Sequence, residues 1–147
     1  LRSLFALAAT LLLAGCAVDL PQSPPAQTST VLPTKGVVYV YRLRPLGMDP
    51  LGTVTVDCGY PVTLSDDEYT EYFAAPGDFT CTMAREGFLK VLPLSGDAAK
   101  PVHLDVTPGK VYYVRVVMAG NLTAVTESFA PVDPAIAQGE IRHCNKK

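Results

Sequence analysis

Few residues in this chain are of types that do chemistry, and their spacing limits what that chemistry could be. There are two histidines, His103 and His143. A zinc site needs several His, Cys or carboxylate ligands converging, and His143-Cys144 has no second pair at ligand spacing, so no metal and no cofactor is expected. Asp66, Asp67 and Glu68, with Glu71 beyond them, form the densest acidic run. That run lacks the alternating carboxylates and glycine that wrap calcium, and it is expected to be a solvated loop between strands. Ser65 and Ser95 have no Gly-x-Ser-x-Gly turn and no evident His and acid partners, so nucleophilic hydrolysis has no support. No glycine-rich phosphate loop occurs. The chain is expected not to be an enzyme.

Four cysteines offer sulfur chemistry. Cys16 stands apart, directly behind an apolar run. Cys58, Cys81 and Cys144 are an odd number, which in an oxidising compartment is most simply one pair and one leftover. Cys58 with Cys81 is the favoured pair, because both extend an inward-facing apolar alternation. A bond from Cys144 to either of them, stapling the C-terminal helix to the domain, is the second choice, and three buried unpaired thiols are the third. Tyr39, Tyr41 and Arg42 fall on one predicted strand, and Tyr112, Tyr113 and Arg115 on another. Tyr and Arg are enriched at interfaces, so these six are candidates for a partner-binding surface. The competing reading packs the rings in the core and pairs each Arg with a nearby carboxylate.

The elements that must position these groups are short and β-rich. The chain has 147 residues, room for one small folded domain, and its formal charge of -2 lacks the basic footprint of a nucleic-acid binder. Thirteen prolines and eleven glycines argue against a helical bundle. From Gly36 onward, alternating runs are punctuated by turn residues. Strands are predicted over Val37 to Leu43, Thr53 to Cys58, Pro61 to Leu64 and Glu71 to Ala74, then at Phe79 to Met83, Val102 to Thr107, Lys110 to Met118 and Asn121 to Thr126. Phe88 to Leu94 fits a strand or a loop. Lys110 to Met118 is apolar on both faces apart from Arg115, so it is expected to be central. Pro76-Gly77 and Pro108-Gly109 supply turns. Asp133 can cap a helix that Pro134 opens, with Ile136, Glu140, Ile141 and Cys144 at helical spacing. The expected fold is mainly β: an antiparallel β-sandwich of about seven strands over residues 36–147, with one C-terminal helix.

Val38-Tyr39-Val40-Tyr41-Arg42, Val54-Thr55-Val56-Asp57, Ala75-Pro76-Gly77 and Pro108-Gly109-Lys110-Val111-Tyr112-Tyr113-Val114 follow one another in an order that resembles a family of short bacterial lipoproteins with a transthyretin-like or PEGA-like sandwich. The resemblance spans most of residues 36 to 127 and implies a fold, with no activity attached. Where such domains often carry a plain Asp-Gly turn, this chain has Asp57-Cys58-Gly59-Tyr60.

The front of the chain carries the most specific pattern. Arg2 precedes an apolar run from Leu4 to Ala14, interrupted only by Thr10. Eleven residues are too few for a bilayer span, which takes about 20, but they fit the apolar region of a secretory signal. Leu13-Ala14-Gly15-Cys16 then matches the lipobox of bacterial lipoproteins at all four positions. That resemblance implies a signal peptide over residues 1–15 and acylation of Cys16, whose thiol is the better nucleophile for diacylglyceryl transfer. Each buried methylene contributes about 0.8 kcal/mol, so two or three chains make a stable anchor. Ala17, where inner-membrane lipoproteins often carry Asp, favours the outer membrane facing the periplasm. Residues 16–35 form the lipidated start and a tether in which Pro21, Pro24, Pro25 and Pro33 favour extended backbone, reaching up to roughly 50–60 Å. The expected role is a non-catalytic, lipid-anchored envelope domain whose partners are the membrane and an envelope protein or glycan. A cell-envelope enzyme or carbohydrate-processing accessory with a site at the sandwich loops is the alternative.

Overall fold

A computed structural model describes residues 34–44, 52–121 and 123–147. Cys16, the signal segment and all but the last two residues of the tether expected over residues 16–35 lie outside them. Nine strands and one helix are present among the described residues: β1 Gly36–Arg42, β2 Val54–Asp57, β3 Pro61–Leu64, β4 Glu68–Ala74, β5 Gly77–Arg85, β6 Val102–Val106, β7 Val111–Gly120, β8 Val125–Val132, α1 Pro134–Ile141 and β9 Asn145–Lys146. They form two sheets, a five-stranded one in the order β8-β7-β1-β4-β9 and a four-stranded one in the order β3-β2-β5-β6. The mainly β sandwich with a C-terminal helix is the class expected from the alternation.

The sheets meet over a core in which strand periodicity selects every second residue. Val38 and Val40 of β1, Val54 and Val56 of β2, Tyr72 of β4 and Val114 and Val116 of β7 face it, fully buried or nearly so. The connection after β5, with a single 3-10 turn at Gly87–Lys90 where a strand or loop was open, drops Leu89 and Leu92 into the same core. On the opposite face of the five-stranded sheet, α1 covers Val37, Tyr39, Tyr41, Tyr69 and Tyr113 with Ala137 and Ile141. The molecule thus has three layers. β1 is buried along its whole length because it faces a layer on each side.

Two pairings depart from an all-antiparallel sandwich, β1 with β7 and the short β4 with β9. β1 is antiparallel to β4 but runs parallel to β7, with Tyr39 opposite Tyr113 and Tyr41 opposite Arg115. The turn Thr107-Pro108-Gly109-Lys110, which carries the chain from β6 in the other sheet, lies at the start of the β1–β7 pairing and is closed by Lys110 N–H to Thr107 O at 3.3 Å, with Gly109 at φ 73°. Gly109 N–H also donates to Lys35 O at 2.9 Å, which starts β7 beside the start of β1. At the same corner Gly36 is required by close approach, since a Cβ there would lie 2.4 Å from Val106 Cγ1.

The last long strand also lies further along than the expected Asn121 to Thr126. Asn121 Oδ1 accepts from the Thr123 and Ala124 N–H groups, and Asn121 N–H reaches Ala124 O at 2.9 Å, so the side chain builds a turn and pairing resumes at Val125. The acidic run contributes Glu68 to the start of β4, and β9, which no alternation announces, pairs parallel to it at Glu68 and Tyr69.

Candidate functional site

The tyrosines and arginines singled out from the sequence divide between two faces, because neighbours on a strand point opposite ways. Tyr39, Tyr41, Tyr113 and Arg115 share the face beneath α1. Arg42 and Tyr112 point into the sandwich side. Tyr39, Tyr41 and Arg42 are buried and Tyr113 is 9% exposed, so they are packing residues in this arrangement and not an open partner surface.

Beneath the helix, Tyr39 stacks on Tyr113 with ring centroids 5.4 Å apart and meets Tyr69 edge-on at 5.9 Å. Asp133 starts α1 by accepting the Ala135 N–H at 2.8 Å, with Pro134 at the first helical position. Two turns further on, Glu140 reaches the sheet: it accepts the Tyr41 hydroxyl proton at one oxygen and Arg115 Nη1 at 2.6 Å at the other. Burial, the Glu140 bond and the Glu140 charge all push the Tyr41 phenol well above its ordinary value. Cys144 is unpaired and half-buried, and its thiol is pushed up to about 12, chiefly by burial. At that pH range it stays protonated and unreactive under neutral conditions.

At the end of the sandwich, Arg42 is 1% exposed and lies 2.8 Å from Asp66, itself 3% exposed. It also donates to Gly52 O at 2.8 Å and Leu64 O at 3.1 Å. Burial pulls the guanidinium down from its usual range, and the Asp66 charge is the largest influence opposing that. The acidic run is therefore not a solvated loop: Asp66 is the counter-ion of a buried cation, and Asp67 and Glu68 pair with Arg44 and Lys147 at the surface. A second pair, Arg85 with Glu127, ties down the segment after β5. Arg85 donates to Leu89 O and Leu92 O, and Glu127 accepts the Ala99 N–H. Tyr112 locks the β6–β7 turn, donating to Asp105 O at 3.0 Å and accepting from Thr107 N–H at 2.9 Å.

Cys58 and Cys81 are joined by a disulfide with Cα atoms 4.2 Å apart. The register of β2 on β5, with Asp57 opposite Thr82, places the two cysteines directly across from each other. The Asp57-Cys58-Gly59-Tyr60 segment closes as a tight hairpin, Asp57 opposite Pro61, with Asp57 Oδ1 accepting the Gly59 N–H. Its tip residue Tyr60 crosses to the other sheet, its ring against Tyr72 and its hydroxyl donating to Glu71 O at 3.0 Å.

Among the described residues no group of three or more His, Cys, Asp or Glu side chains is placed to hold a metal ion, and His103 instead bonds Thr80 at 3.0 Å on an exposed face. No described helix is long and apolar enough to cross a membrane. The residues that sequence reasoning missed are partners: Asp66, Glu140, Glu127 and Tyr60. For Glu140 a signal existed in its helical spacing with Ile141 and Cys144, but nothing local pointed to Tyr41 or Arg115. Together these contacts hold a helix on a sheet. A scan against protein-family models, a search of curated proteins and a search of solved structures each found no match.

Proposed function

We propose that this chain is a non-catalytic, lipid-anchored domain of the bacterial cell envelope, fastened through an acylated Cys16 and presented on a proline-rich tether. The observation that carries the reading is Leu13-Ala14-Gly15-Cys16 standing directly behind an eleven-residue apolar run. The disulfide between Cys58 and Cys81 supports export, because such bonds persist in oxidising compartments and are rare in the reducing cytosol. Ala17 favours retention at the outer membrane, facing the periplasm. An anchored domain is confined to two dimensions, which raises its effective concentration near other membrane-associated components. Its role on this reading is to bind or support an envelope protein or glycan.

Metabolic labelling with a fatty-acid analogue tests the anchor. The protein should take up label and fractionate with membranes, and Cys16→Ser should lose both properties. An unlabelled wild-type protein, or a Cys16→Ser variant that stays with the membrane, removes the assignment.

A further inference from the structure

The two cores of the molecule do not share residues. Among the described residues, the side chains of the sheet-to-sheet core come from the strands, from Cys58 in the β2–β3 turn and from the segment after β5, and none comes from α1. The helix belongs only to the outer cluster, where it contributes Ala137 and Ile141. Two turns of helix are too short to persist alone, and Gly139 in the second turn weakens them further. Beyond α1, the chain is held by Cys144 packed against the outer cluster, by the two-residue β9 and by surface pairs of Lys146 with Glu71 and Lys147 with Glu68. Two polar ties run from α1 to the sheet: Gln138 hydrogen-bonds Tyr113, and Glu140, the charged one, bridges Tyr41 and Arg115. We propose that α1 and the segment behind it form a strap that opens from the five-stranded sheet as a unit while the sandwich stays folded, with Glu140 as its latch.

What the strap covers gives the motion a consequence. Tyr39, Tyr41, Tyr69 and Tyr113 beside Arg115 have the aromatic and guanidinium composition that protein interfaces favour. The strap is the resident occupant of that face and shields it while closed. This rests on the packing beneath α1 and stands or falls independently of the envelope assignment.

Amide hydrogen exchange on the full chain tests it. Amides of α1 should exchange about tenfold faster than those of β1, at a rate that low denaturant leaves unchanged while β1 rates rise, the mark of local opening. Glu140→Gln should accelerate α1 roughly tenfold, the loss of a charge-assisted bond, and leave β5 and β6 unaltered. Gly139→Ala, whose added Cβ would meet only Arg142 Nη2 at 3.8 Å, should slow α1 exchange about threefold. If α1 and β1 exchange together with one denaturant dependence, or if Glu140→Gln accelerates all strands equally, the helix is an integral part of the domain and the strap does not exist.

Discussion

Arg42 shows how a single charge can be accommodated inside a sandwich. Its guanidinium sits at the end of β1 where two backbone carbonyls and Asp66 replace its water. Removing one partner of such a pair leaves the other charge buried and uncompensated, which costs about 3–5 kcal/mol. Asp66→Asn should therefore be strongly destabilising in a urea titration, and Arg42→Met combined with Asp66→Asn should recover part of the loss. Cys144 makes a separate prediction. With its thiol pushed up to about 12 by burial, the native protein should alkylate far more slowly at pH 8 than a small thiol does, and addition of denaturant should restore ordinary reactivity. Rapid labelling of the folded chain would contradict the burial. At this scale the sequence was informative about residue type and silent about partner. Asp66 looked like surface because three acidic neighbours in a row usually are.

The elements were legible where a local rule governs them. Strict alternation marked β5 and β6, Pro-Gly marked two turns, and Asp133-Pro134 marked the start of α1. Asp133→Ala removes the acceptor for the Ala135 N–H and should cost about 1 kcal/mol, read as a lowered unfolding midpoint. The hairpin staple belongs to this scale as well. Cys58 and Cys81 are 23 residues apart, and in the chain-entropy account a bond closing such a loop contributes about 3 kcal/mol. Replacing both by Ala should lower stability by that amount and leave the β2–β5 register intact. Where the local rule failed, a side chain had intervened: Asn121 formed its own turn and moved the start of β8 four residues on. β9 escaped notice because two residues have no period.

For the whole molecule, the buried phenols set the response to alkali. Tyr41, Tyr69, Tyr72 and Tyr113 are all raised above the ordinary phenol value of about 10, with burial the largest cause in each case. A group whose folded value lies above its unfolded value contributes fully below the unfolded value and loses that contribution as pH rises through the folded one. Stability should hold from neutral to about pH 9, then fall as first Cys144 and then the tyrosines ionise more readily in the unfolded chain. Urea midpoints across that range, with ultraviolet titration of the phenolates, give the check; a flat profile above pH 10 would mean the rings are not buried. Local pattern alone specifies the class of fold, the two Pro-Gly turns, the helix cap and the front-end motif on which the proposed address rests, because each is written in residues a few positions apart. Stacking of the layers settles what local pattern leaves open: that β1 lies parallel to β7, that Tyr39 and Tyr113 share the face beneath α1, and that Glu140 reaches Tyr41 and Arg115. Tyr41 and Glu140 are 99 positions apart, and no local periodicity connects residues that meet only when the layers stack.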